Sequence, residues 1–352
     1  MNNAMQAVLG VFNVTLPFFA LVFCGWLGAR RHILPESAIP GLNAFVLYFA
    51  LPCLLFRFGM NTPIAQLLNP SVLAVWFVCA SLIVAFTIGV TMNRHVRLKD
   101  AAFGALVAAF PNTGFMGVPL LVALMGEPVA GPMICAMLVD MLFTTSLCVG
   151  LAQAHPERRR GTRDASSASQ GDGAGAAVKR ALRGALSNPM PWAVVAGALC
   201  SVTGTKLTGP AYTVISMLAD AASPVALFTI GAVLYRAGQH AQQPGALGHG
   251  PVRVRTPMSR VLPVVGIKLV VHPLLVLSAA LLARRMGAPL PDQVITALVL
   301  TASLPSASNV AILAERFGAD NGRIARIIML STALAFVSFS LLAWLFGVGK
   351  AR

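Results

Sequence analysis

The chain has 352 residues, 57% of them hydrophobic and 11% charged, with a mean hydropathy of +0.77 and a net charge of +15. A water-soluble core of this length does not need so much apolar surface, whereas a bundle of membrane helices does, each span taking roughly 20 mostly apolar residues. The composition therefore excludes an ordinary soluble domain. The cations are scattered among loops rather than gathered on one face, which argues against a nucleic-acid partner.

Ten apolar windows follow one another along the chain: 8–29, 41–60, 71–92, 101–125, 130–151, 189–205, 211–235, 261–283, 293–315 and 324–347. The first is followed, not preceded, by Arg30 and Arg31, so it does not read as a cleaved signal peptide. The second holds PCLLFRFG (Pro52–Gly59), in which Arg57 is expected to snorkel to the outer interface. The fourth holds PNTGFMGVP (Pro111–Pro119), a poor sequence for a spanning helix. Proline lacks a donor and clashes with the preceding turn, and hydrocarbon offers no water to satisfy the freed backbone. A break at that depth is tolerated where it lines a cavity.

The fifth window carries Asp140, and the polar stretch 155–188 follows it with Arg158, Arg159 and Arg160. Low hydrophobicity with Gly, Ser and charge reads as a mobile linker. The seventh window carries Asp220 and PVALFTIG (Pro224–Gly231), and a second polar insert, 238–258, precedes the eighth. There Lys268 and His272 share a helix face at i and i+4. The ninth contains SLPSASNVA, with Pro305, Ser306, Ser308 and Asn309.

Of the 26 Lys and Arg, 19 fall in odd-numbered loops, 6 on the opposite side, and Lys268 inside a span. The positive-inside rule then places the odd loops in the cytoplasm and both termini outside. High Ala, Gly and Arg usage points to a bacterial inner membrane. The six cysteines all fall within spans and form no CxxC or Cys/His cluster, so neither a metal site nor a disulfide framework is indicated. No cofactor motif and no nucleophile–base set stands in the sequence, so an enzyme is not expected.

The long linker divides the chain into 1–151, 152–188 and 189–352, five spans on either side. Span two and span seven share P-x-x-L-F-x-x-G, and spans four and nine share an Ala-Leu-Val run followed 21 residues later by Gly (Gly126 and Gly318). Five is odd, so the second half begins on the opposite side of the membrane and the repeats are inverted, as in many secondary transporters. The expected fold is an all-α membrane protein of about ten transmembrane helices in two inverted five-helix repeats. Spans four (Pro111, Gly114, Pro119) and nine (Pro305) are the interrupted pair, where such folds bind substrate.

FPNTGFMGVPLLVALMG (110–126), LNAFVLYFALPCLLFRFG (42–59), LADAASPVALFTIG (218–231) and, more loosely, SLPSASNVAILAERFGAD (303–320) resemble the auxin efflux carrier family, which joins plant PIN-type carriers and prokaryotic relatives. The resemblance implies a fold similar to sodium/proton antiporters and bile-acid symporters, with helices four and nine broken and crossing. It also implies export or import of a small organic anion, auxin-like or a dicarboxylate such as malonate, with an elevator-like movement. The short linker and the set Ser306, Ala307, Ser308 depart from the plant pattern.

The binding residues expected at the break are Asn112, Thr113, Gly114, Ser306, Ser308 and Asn309, with Lys268 as a cation for a substrate carboxylate. A half-helix N-terminus near Gly117–Pro119 would face an anion through its dipole. The alternative at Asn112 and Thr113 is a polar cap on the broken backbone. Lys268 is equally readable as the ion-pair partner of Asp140 or Asp220. Asp140, Asp220 and His272 are candidates for coupling to a proton or sodium ion, as intramembrane ionisable groups, or for packing and helix pairing. A carrier of a different solute and a ligand-binding membrane sensor remain the rival functions, and the assembly is open between a single chain and a homodimer.

Overall fold

A computed structural model describes residues 3–154, 189–240 and 257–348. Most of the polar linker (155–188) and of the second insert (241–256) lies outside the described residues.

Every regular element among the described residues is helical. Apart from the single turn Ile64–Leu67, in chain order they are α1 (Asn3–Arg30), α2 (Ala38–Asn61), α3 (Pro70–Thr91), α4 (Leu98–Ala109), α5 (Thr113–Met125), α6 (Glu127–Gln153), α7 (Pro189–Thr203), α8 (Gly209–His240), α9 (Met258–Arg285), α10 (Asp292–Ser303), α11 (Val310–Arg316) and α12 (Asn321–Leu345). Seven of the helices, α1, α2, α3, α6, α8, α9 and α12, contain stretches long and apolar enough to cross a membrane, while α5, α7 and α10 are apolar but shorter. The fourth apolar window of the sequence is thus two helices, α4 and α5, and the ninth is also two, α10 and α11.

Local chemistry sets several of these ends. Asn69 caps α3, its Oδ1 accepting from the Ser71 and Val72 amides at 3.0 and 3.2 Å, with Pro70 following at a position where its missing donor is harmless. Asp320 caps α12 through the Arg323 amide at 3.0 Å. Four helices loosen into a single π turn: α2 at Val46–Ala50, α5 at Thr113–Gly117, α6 at Asp140–Thr144 and α9 at Ile267–Val271. Such turns are rare and frequently mark functional positions.

The helices pack in two groups. In one, α1 lies along α8, and α2 lies along α7 and α8; in the other, α3, α4, α6, α9, α10 and α12 pack around one another. The groups meet where α1 and α8 touch α5 and α12. Within the first group the helix backbones come into direct contact. A Cβ on Gly231 would stand 1.8 Å from the Val22 carbonyl oxygen of α1, and one on Gly197 2.4 Å from the Phe56 oxygen of α2. Small residues permit this close approach where lipid leaves van der Waals contact as the main cohesion. The shared P-x-x-L-F-x-x-G motif ends at Gly59, which faces α7, and at Gly231, which faces α1.

The second group is tied at one end by Arg323, which is buried. Its Nε donates to the Arg260 carbonyl at 3.1 Å and its Nη1 to the Asp100 carbonyl at 3.0 Å, joining the starts of α4, α9 and α12.

Candidate functional site

The two helix breaks meet. Pro111 and Ser306 form an isolated antiparallel bridge, in which the Asn112 amide donates to the Pro305 carbonyl at 2.8 Å and the Ala307 amide to the Phe110 carbonyl at 3.0 Å. Each break therefore supplies the other's missing backbone partner, at a depth where an unpaired group costs several kcal/mol. The residue facing Pro111 is Ser306, one place beyond the proline that the sequence pattern singled out. Ser306 Oγ donates to the Val107 carbonyl at 2.7 Å and lies 3.3 Å from Ser331 Oγ on α12.

Next to this bridge is a cleft whose polar wall is Asn112, Thr113, Gly114 and Asn309. Met137 and Met141 from α6 and Met190 from α7 form much of the apolar wall. Asn112 and Thr113 are buried, yet Asn112 Oδ1, Thr113 Oγ1 and Asn309 Oδ1 have no hydrogen-bond partner among the described residues. Leaving a buried polar group unpaired costs about 1–3 kcal/mol, so three on one cleft need a reason. The cap alternative for Asn112 and Thr113 would have spent these atoms on the backbone. The free space is about 10 Å³, on the order of one water molecule, so the cleft is narrow at its polar wall.

The remaining sequence candidates fall in three places. Ser308 is half-buried and Pro119 lies in α5, neither of them lining the cleft. Asp220 is bound to Arg57 at 2.6 Å, bridging α8 and α2, so Arg57 reaches a carboxylate rather than simply snorkelling. Lys268, His272 and Asp140 form a separate buried cluster. Lys268 Nζ donates to the Ala302 carbonyl at 3.0 Å and approaches His272 Nδ1 at 3.3 Å. Of the two acids considered for Lys268, Asp220 is taken by Arg57, and Asp140 acts on Lys268 by charge without a direct ion pair. Lys268 does not line the cleft.

Pattern reading did not single out Met137, Met141, Met190, Trp76 or Ser331. Met137 and Met141 stand at i and i+4, a spacing that signals one helix face but not which neighbour that face meets. Trp76 lies against His272 with ring centroids 5.5 Å apart.

Residues 11–343 match the family model described as membrane transport protein. The chain belongs to that family. It is 31% identical to the putative malonate transporter of Rhizobium meliloti (strain 1021), over 96% of this chain and 97% of that one. It is 24% identical to the uncharacterized transporter YfdV of Escherichia coli (strain K12), covering 86% of this chain and 87% of the relative. An uncharacterized transporter of Methanothermobacter thermautotrophicus is also 24% identical, over 95% and 97%. As a family member with seven candidate spans among the described residues, the chain is a multi-pass membrane transport protein.

Proposed function

We propose that this protein is a secondary transporter that moves a small organic anion, a carboxylate such as malonate, across the cytoplasmic membrane by alternating access. The observation that carries this reading is the convergence of three unpaired polar side chains, Asn112, Thr113 and Asn309, on one cleft at the paired breaks. In the bound state the Thr113 hydroxyl donates to the carboxylate, and the Asn112 and Asn309 amides turn so that Nδ2, rather than the acceptor Oδ1 now left unpaired, faces it and donates. The N-terminal turn of α5, which begins at Thr113, adds its dipole. Among the described residues no lysine or arginine lines the cleft, so the anion is held by dipoles and can leave again. Similarity to a protein named a putative malonate transporter supports the choice of substrate class.

The ten-span architecture with inverted repeats has its own support. Helices numbered by span pair as 1 with 7 and 6 with 2, as 3 with 4 and 8 with 9, and as 4 with 5 and 9 with 10. Each contact recurs when five is added to both span numbers, which is what a two-fold relation between the halves demands. The four-helix group α1, α2, α7 and α8 is then the frame, and the group containing both breaks is the block that shifts against it. Lys and Arg distribution supports a cytoplasmic linker and outer termini. The likeness of Pro111–Pro119 to auxin efflux carriers fits the same reading.

The three methionines on the cleft favour a second reading of the solute, an acid with an apolar body of the auxin type, since Met adapts its shape to irregular apolar groups. The deciding experiment is exchange of labelled malonate in proteoliposomes, competed by a panel running from short dicarboxylates to aromatic monocarboxylates. Saturable exchange whose KM rises about tenfold or more in N112A supports the carrier reading. No flux of any anion under imposed proton, sodium or voltage gradients sinks it.

A further inference from the structure

Apart from the residues lining the cleft, the second group of helices encloses ionisable side chains that no anion-binding role uses. Asp140 on α6 and Lys268 and His272 on α9 are each 0% exposed. An intramembrane charge is costly, and such residues mark ion pathways far more often than simple packing. Both Asp140 and Lys268 lie in π turns, Asp140–Thr144 and Ile267–Val271.

The cluster touches both broken helices. Lys268 Nζ donates to the carbonyl of Ala302, in the last turn of α10, and His272 faces the carbonyl of Ala108, in the last turn of α4. The C-terminal end of a helix carries about half a negative charge. Two such ends converge on the bridge, and the Lys268 ammonium sits against one of them at 3.0 Å, with Asp140 near enough to act on it by charge but not in direct ion-pair contact. Of the Asp140 oxygens, Oδ1 accepts from Thr144 Oγ1 at 3.0 Å, while Oδ2 forms no hydrogen bond of normal geometry among the described residues. Trp76 of α3 faces the carboxylate, its Nε1 also without a formed bond, and Cys148 lies near on the same helix as Asp140.

We infer that the coupled ion is a proton, and that it binds Asp140 Oδ2 in a site separate from the anion cleft and linked to it through Lys268 and the ends of the two broken helices. The inference rests on the carrier reading above. In the binding step a proton from the aqueous phase forms an O–H bond at Oδ2 and the carboxylate becomes a neutral acid. Lys268 then loses its counter-charge, and its hold on the end of α10 changes with it. The return step releases the same proton to the opposite side. A hard metal cation would need a shell of several oxygen ligands. The side chains that act on Asp140 are an indole, a hydroxyl and an ammonium, and among the described residues no three His, Cys, Asp or Glu side chains converge to hold a metal ion. The fixed ammonium already occupies the place of a cation.

Two measurements test this. The first needs no substrate. In a variant keeping Trp76 alone, with Trp26, Trp192 and Trp344 changed to Phe, emission is followed from about pH 5 to about pH 9, the range in which buried carboxylates and lysines titrate. A single proton-dependent step is expected, lost in both Asp140→Asn and Lys268→Met and retained in Asp140→Glu. The second adds malonate outside proteoliposomes loaded with a pH dye, at clamped voltage. A lumenal pH change is expected in the parent and absent in Asp140→Asn. A Trp76 signal indifferent to pH, or one surviving both substitutions, overturns the proton site whether or not malonate is carried. Malonate exchange with no proton movement overturns it too and leaves the carrier standing. A Trp76 step as expected, with no malonate flux, upholds the proton site and overturns the substrate assignment instead.

Discussion

Ser306 Oγ donates to the carbonyl oxygen of Val107 at 2.7 Å. Val107 is the residue whose carbonyl would accept from position 111 in an unbroken helix, and position 111 is a proline with no N–H to give. A hydroxyl from the other half of the chain supplies the donor that the first half lacks. The break at Pro111 is therefore completed by the break at Ser306, and neither is stable without its partner.

Ser306→Ala is accordingly expected to leave the Val107 carbonyl buried and unpaired, a loss of about 1–3 kcal/mol. Its thermal midpoint in detergent should fall clearly below the parent's, while Ser306→Thr recovers most of it. Ser308→Ala, at a half-buried position off the cleft, should change neither midpoint nor transport. Equal midpoints for Ser306→Ala and the parent would show that the hydroxyl is not the missing donor.

The cleft residues should behave in the opposite way. Asn112 Oδ1 and Thr113 Oγ1 have no partner among the described residues, so Asn112→Ala and Thr113→Ala remove groups that cost stability rather than provide it. Midpoints should stay level or rise. The KM for the anion should increase by about tenfold or more for each, since a hydrogen bond to a charged group contributes about 1.5–3 kcal/mol. A site built at the expense of stability has this signature. Loss of midpoint together with unchanged KM would return both residues to the role of caps.

Much of this site was legible from PNTGFMGVP, because prolines and glycines at membrane depth violate helix chemistry so strongly that a cavity was the economical explanation. The second break was harder to place. Leu304 and Pro305 extend the chain beyond the end of α10, and the residue opposite Pro111 is set by backbone geometry rather than by the matching of Ala-Leu-Val runs. Met137, Met141 and Met190 look like any core methionines until α6 and α7 are folded beside the break. Lys268 was visible as a buried charge, but which way it points depends on how α9 is rotated, and it points to the helix ends instead of the cleft.

The motif glycines offer a test of packing alone. Gly231→Ala places a Cβ 1.8 Å from the Val22 carbonyl oxygen, a backbone atom that cannot swing aside, so α1 and α8 must separate. Overpacking of this kind costs about 1–3 kcal/mol or more. At Gly89 of α3 a Cβ would meet nothing within 4 Å, and Gly89→Ala should be neutral or stabilising by up to about 1 kcal/mol through helix propensity. Thermal midpoints in one detergent compare the two directly, and similar values would contradict the close contact of α1 with α8.

Asp140 and Asp220 both looked like coupling acids in the sequence, and their surroundings now separate them. The Asp220 side chain is 68% exposed and held by Arg57, itself 23% exposed, at 2.6 Å. An exposed ion pair contributes about 0–1 kcal/mol. A double-mutant cycle of Arg57→Gln and Asp220→Asn should therefore give a coupling energy within about 1 kcal/mol, with anion-driven proton movement retained in both single variants. Asp140, with no exposure and one unpaired oxygen, has no such tolerance. If Asp220→Asn abolished proton movement, the coupling acid would lie on the α2–α8 side of the protein, and the block carrying the helix breaks would act on the anion alone.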